Sequence, residues 1–136
     1  MVKDDCIFCK LANGIIPTNT VYEDEDFRVF LDASPATKGH CLIVPKNHFD
    51  NLGDLDDGTG AKVLPLAKKM MKTLKEKLNC DGLNLVQNNG TVAGQTVFHF
   101  HLHVIPRYED DGQNINWKPL SPSEDEIKST LETLTK

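Results

Sequence analysis

The segment Phe98-His99-Phe100-His101-Leu102-His103-Val104 alternates apolar and imidazole side chains without a break. Only a strand puts residues i and i+2 on one face, about 6.8 Å apart; a helix would scatter the three histidines around its circumference. The alternation predicts a strand with Phe98, Phe100, Leu102 and Val104 turned to a core and His99, His101 and His103 turned away from it. One histidine on such a face is often a satisfied core residue; three in a row make a functional constellation. Two chemistries use such a row. Several imidazoles can ligate one metal ion, or one can attack while its neighbours orient it and bind developing charge. Imidazole suits attack on phosphorus near neutral pH, because its unperturbed pKa of about 6.5 leaves much of it unprotonated.

The residues before the row favour attack. Asn88 to Thr96 (NNGTVAGQT) supplies flexible backbone amides, carboxamides and hydroxyls, neutral donors able to cradle a phosphate. Bulk charge would not gather one: 15 Lys and Arg against 20 Asp and Glu leave a net charge of −5, which argues against nucleic acid as a partner. No apolar run approaches the roughly 20 residues of a membrane span. Met1 to Asp5 has neither the basic stretch nor the apolar run of an export signal, so the expectation is a cytoplasmic protein with reduced thiols.

At 136 residues the chain is the size of one domain, able to bury about two-thirds of its unfolded surface. The pattern predicts a short helix over 6–14, strands over 21–23, 27–32 and 40–44, and a turn-forming stretch over 51–60. A helix follows, with Val63, Leu66, Ala67, Met70, Met71, Leu74 and Leu78 as its apolar stripe and Pro65 as a kink or late start. Strands over 82–87 and 96–105 come next, the second ended by Pro106, then a C-terminal helix from Ser123, which forms a capping box with Glu126. Most strands lack a crossover helix between them, which favours an antiparallel α+β sheet.

Gly94 to Tyr108, "GQTVFHFHLHVIPRY", resembles the signature of the histidine-triad (HIT) nucleotide-binding proteins. Cys6-Ile7-Phe8-Cys9, Phe30-Leu31-Asp32 and "GHCLIVPKNH" from Gly39 to His48 fit the same family in the same order. The resemblance covers roughly residues 5–108, a family core within one domain of 1–136, with 109–136 as a tail. It is greatest to the bacterial branch near the nucleoside-phosphoramidate hydrolases; Gln95-Thr96-Val97 and Pro106-Arg107 also echo the dinucleoside-polyphosphate hydrolases.

The resemblance implies a five-stranded antiparallel sheet that continues across a homodimer, and a hydrolase that needs no catalytic metal. It implies that His101 attacks the α-phosphorus of a purine nucleotide conjugate and carries the nucleotidyl group until water releases the monophosphate. His99 and His103 flank it, His40 helps orient it, and Gln95, Thr96 and Val97 fall at positions near the phosphate or leaving group, with Asn88 and Gly94 as further phosphate-side positions. Asp32 matches an acceptor for ribose hydroxyls, while Ile7, Phe8, Leu11, Ile16 and Phe30 match an apolar purine slot. Leu31 stands where some relatives carry His.

Cys6 and Cys9 form a C-x-x-C pair, two legs of a tetrahedral zinc site. A thioredoxin-like redox pair is the weaker reading, since it would sit between a strand and a helix and only five residues precede Cys6. The resemblance implies a structural zinc held by Cys6, Cys9, His48 and His99. Two alternatives to the phosphoramidase stay open at this point: an open catalytic zinc on His99, His101 and His103, and a non-catalytic nucleotide-binding module.

Overall fold

The structure, a computed structural model, describes all 136 residues. Five strands form one antiparallel sheet: β1 (Thr20–Glu23), β2 (Phe27–Leu31), β3 (Cys41–Pro45), β4 (Gly82–Val86) and β5 (Leu102–Arg107), in the spatial order β1-β2-β3-β5-β4. Three helices accompany it, α1 (Ile7–Ala12), α2 (Asp57–Leu78) and α3 (Glu124–Thr135). The α+β architecture is the expected one, with the histidine-bearing segment leading into a strand inside the sheet.

Period-two alternation gives the sheet two unlike faces. Phe27 and Val29 of β2, Cys41 and Ile43 of β3, and Leu102 and Val104 of β5 share one core with Val63, Leu66, Ala67, Met70 and Leu74 of α2. On the other face Phe30, Leu42 and Val44 meet Ala12, with Phe8 and Leu11 of α1 packed alongside. β3 is buried on both faces, as its unbroken apolar run requires.

Local chemistry sets the boundaries. The β1–β2 turn closes on Asp24, whose Oδ1 accepts the N–H groups of Asp26 and Phe27, each at 2.8 Å. α2 starts at Asp57, capped by Asp56 accepting the Thr59 N–H at 3.0 Å, so it begins well before the apolar stripe. Pro65 therefore lies inside the helix and is not its start. It is exposed, as is Ala61, whose carbonyl it leaves without a helical donor. Met71 is a second correction: it is 40% exposed while Met70 is buried, the stripe being narrower than the sequence suggests. The capping box at Ser123 and Glu126 forms as expected, but no residue of α3 is buried.

The histidine segment departs from expectation in three ways. Regular strand begins at Leu102 rather than at residue 96, because β3 pairs with β5 only over Cys41–Ile43. Phe98 consequently escapes the core and is 49% exposed, although Phe100, Leu102 and Val104 point inward and the alternation of the three histidines persists. Pro106 does not end the strand either. Its carbonyl accepts the Thr37 hydroxyl at 2.6 Å on the side where β3 has already ended, so the N–H that proline lacks has no ladder partner to lose.

Gly39 steers the chain into β3 from beneath the end of α2. Its φ is +91°, and a Cβ there would stand 2.4 Å from Leu78 Cδ1, so only glycine brings His40 to the sheet at this height.

Candidate active site and a thiol–imidazole cluster

On the face away from α2, a cleft of about 350 Å³ opens between α1, the end of β2 and the histidine segment. Phe8, Leu11, Phe30, Asp32, Thr96, Val97, His101 and His103, all anticipated from the sequence, line it. Phe8 stands edge-on to both Phe30, at 6.1 Å between centroids, and His101, at 4.9 Å. A flat aromatic guest fits such a wall, which presents ring edges and hydrocarbon.

The imidazoles are ordered by their hydrogen bonds. His101 is buried, and its Nδ1–H donates to the His99 carbonyl at 2.7 Å, which leaves Nε2 with a lone pair. The Ala36 N–H donates to His40 Nδ1 at 2.9 Å, so His40 carries its proton on Nε2 and gives it to His103 Nδ1 at 3.0 Å. His103 in turn carries its proton on Nε2. One ring thus offers an unshared pair and its neighbour a donor, with the two rings 5.1 Å apart in a T-shaped pair.

Burial sets their charge. It holds His103 down to about 4, with His101 and His40 adding to the effect, and it pushes His101 and His40 below the usual imidazole value against the partial opposition of Asp32. All three are neutral at pH 7. Asp32 accepts the Ser34 N–H on Oδ1 at 2.8 Å and has Oδ2 3.5 Å from His40 Nε2, which leaves lone pairs for further donors in the cleft.

The remaining anticipated residues sit elsewhere. Gln95 is 2% exposed and fully engaged: its carbonyl accepts the Gly90 N–H, and its amide donates to the Asp50 and Val97 carbonyls. It braces the loop and does not face the cleft. Gly94 and Asn88 meet each other, Asn88 Nδ2 lying 3.5 Å from the Gly94 carbonyl, again outside the lining. Ile16 is not in the lining, and Ile7 borders a second opening of about 370 Å³ beyond Thr96 and Val97, beside Cys6, Asp50 and Phe98. His40 stands behind His103. The lining also includes Pro17, Thr18, Asn19 and Leu42. No pattern in the sequence singles out Pro17, Thr18 and Asn19, because the loop before β1 reaches the cleft only through the fold.

Cys6, Cys9, His48 and His99 converge, their ligand atoms all within 4.8 Å of one another. His99 Nδ1 lies 3.3 Å from Cys6 Sγ and 3.5 Å from Cys9 Sγ, and His48 Nδ1 lies 3.4 Å from Cys9 Sγ. Zinc–sulfur bonds of about 2.3 Å and zinc–nitrogen bonds of about 2.05 Å set S and N roughly 3.5 Å apart in a tetrahedral centre. Both Nδ1 atoms are free to ligate, because His99 Nε2–H donates to the Pro45 carbonyl at 2.8 Å and His48 Nε2–H to Asp50 Oδ1 at 2.6 Å. Donor set, spacing and outer hydrogen bonds all fit zinc. A three-histidine metal site does not form: His99 faces the thiols while His101 turns Nδ1 to a carbonyl.

The HIT-domain family model matches residues 13–110. The chain belongs to the HIT family. Among its HIT relatives, a HIT-like protein of Methanocaldococcus jannaschii is 49% identical over 112 residues, 82% of this chain and 86% of that one. The adenosine 5'-monophosphoramidase of Schizosaccharomyces pombe is 38% identical over 131 residues, 96% of each chain. A crystal structure of a HIT family member from Bacillus subtilis superposes with a TM-score of 0.89 at 37% identity, covering 96% of this chain and 95% of that one. A zinc-bound histidine triad family protein from Mycobacterium smegmatis does so with a TM-score of 0.77 at 36% identity, covering 96% and 95%.

Proposed function

We propose that this HIT protein hydrolyses purine nucleotide conjugates at the α-phosphorus, with nucleoside phosphoramidates as the substrate class. One observation carries the reading: the buried His101 ring spends its only proton on the His99 carbonyl and presents an unshared pair at Nε2 in the lined cleft. The purine lies against Phe8, Leu11 and Phe30, and Asp32 accepts the ribose hydroxyls. Nε2 of His101 forms a bond to phosphorus while the phosphorus–nitrogen bond breaks, and the amine leaves after taking a proton from solvent. His103 Nε2–H and the Thr96 hydroxyl donate to the phosphoryl oxygens as charge gathers there. Water then attacks the same phosphorus from the vacated side, the phosphorus–Nε2 bond breaks and a water proton passes to solvent, which releases the monophosphate and restores neutral His101. The S. pombe relative's name supports the choice of substrate class.

Cys6, Cys9, His48 and His99 would hold a zinc ion whose chemistry is that of a cross-link, with no open position for substrate. In the same reading the chain resides in the cytoplasm, where these thiols stay reduced, and works as a homodimer joined through β4. That strand pairs with β5 alone and leaves its other edge free, with Leu85 43% exposed beside it. No helix is long and apolar enough to cross a membrane.

The test is rapid-quench intact-mass analysis during turnover of adenosine 5'-phosphoramidate. An adenylyl adduct on His101, with no turnover in His101→Ala, supports the reading. An adduct on another side chain, or normal rates in His101→Ala, would overturn it. Faster turnover of diadenosine polyphosphates than of phosphoramidates would move the substrate class to phosphoanhydrides.

A further inference from the structure

The thiol cluster and the cleft share parts. His99 turns Nδ1 to Cys6 and Cys9, while its backbone carbonyl holds the Nδ1 proton of His101. Phe8 lies between the two cysteines in sequence, and its ring packs on His101, on Phe30 and, at 6.1 Å, on His99. Anything that rearranges Cys6 and Cys9 therefore acts on the ring that walls the cleft and on the carbonyl that sets the nucleophile's tautomer.

Cys6 is also reachable. It is only partly buried and borders the opening beyond Thr96, whereas Cys9, Cys41 and Cys80 are buried. Cys9 donates its N–H to Cys6 Sγ at 3.3 Å, so the sulfur of the first cysteine already overhangs the turn that carries the second. Residues three apart at the opening of a helical turn have Cα atoms about 5 Å apart, inside the range a disulfide spans.

We propose that Cys6 and Cys9 form a thiol switch on the hydrolase, closed to a disulfide by a hydroperoxide. The Cys6 sulfur attacks the peroxide, takes one oxygen as a sulfenic acid and releases the alcohol, or water in the case of hydrogen peroxide. Cys9 sulfur then displaces that oxygen as water and forms the S–S bond. Two sulfurs are oxidised, one O–O bond is reduced, and a reducing thiol reverses the step. Both sulfurs leave any zinc they hold, His99 Nδ1 loses its partners, and the turn carrying Phe8 shifts. Oxidation therefore turns the enzyme off. The effect on turnover rests on the reading of His101 above, while the disulfide and the metal release do not.

The experiment treats full-length, zinc-loaded protein with hydrogen peroxide. It follows disulfide mapping by peptide mass, zinc release to a chromogenic chelator, and turnover of adenosine 5'-phosphoramidate. The expected result is a Cys6–Cys9 disulfide with Cys41 and Cys80 still reduced, and release of one zinc per chain. Turnover falls about ten- to a hundredfold, as sub-ångström to ångström misplacement of a reacting group produces, and dithiothreitol with zinc restores it. The variant Cys80→Ala keeps the whole response and Cys6→Ser loses the disulfide. Oxidation of Cys41 or Cys80 in place of the pair, or a mapped disulfide with unchanged turnover, overturns the switch. Should neither redox state turn over any conjugate, the functional reading fails and adenosine monophosphate affinity becomes the readout: weaker binding after oxidation sustains the switch, and equal binding sinks it.

Discussion

The two faces of one sheet are stabilised differently, one by hydrocarbon alone and the other by hydrocarbon together with imidazoles. Against α2, the side chains of β2, β3 and β5 bury hydrocarbon with no polar atom to satisfy, apart from the Cys41 thiol, which burial pushes up to about 12. On the other face Phe30, Leu42 and Val44 pack on α1, but beside them stand the half-buried His103 of β5 and the buried His40, His99 and His101 of the flanking segments, and each imidazole must find partners or stand unsatisfied at a cost of about 1–3 kcal/mol. His99 and His40 use both nitrogens, and His103 and His101 one each. Every ring thus has at least one partner, and the nitrogens left over, on His101 and His103, are the ones free to act in the cleft.

The largest effect should separate the faces outright. His101→Ala should lower turnover by about 10⁴-fold or more while weakening monophosphate binding far less, because it removes the nucleophile; the loss of its packing on Phe8 should cost about 1–3 kcal/mol in urea unfolding. Met70→Ala should do the reverse: about 2–5 kcal/mol of stability lost in urea unfolding, with the surviving folded fraction fully active.

Between pH 6.5 and about 4.5, above the range where carboxylates take up protons, acid should act mainly through the imidazoles. His103 is held near 4 in the folded chain against about 6.5 when unfolded, so between these values the unfolded chain binds the extra proton. Stability is then complete above pH 6.5 and declines as pH falls toward 4, by up to about 3 kcal/mol from this ring, and a pH series of denaturation midpoints would show it. A midpoint flat from pH 7 to 4.5 would break the comparison. His40→Ala should free the tautomer of His103 and cost about 10- to 100-fold in kcat, with KM little altered. Smallest of all, Met71→Ala should stay within about 0.5 kcal/mol of the parent, which sharpens the contrast with its neighbour Met70.

Much of this is legible in the chain. The capping box at Ser123 forms, and the alternation from His99 to His103 survives although regular pairing starts only at Leu102. The misses share a cause. Met71 and Phe98 carry the right periodicity for burial, yet the surfaces they would pack against end before reaching them. Pro106 reads as a stop because the sequence does not name its neighbour across the sheet. Gln95 reads as a phosphate ligand from its place in a signature, and its burial against Asp50 and Gly90 shows in the fold alone.

From its order of residues the chain determined that around β5 hydrocarbon and imidazole turn to opposite sides, because side-chain direction in a strand comes from covalent geometry. The tertiary structure decided which nitrogen of each ring is spent and which is free. That outcome depends on partners far apart in the chain, His40 and His103 separated by 63 positions and Cys6 and His99 by 93, which no local rule of spacing brings together.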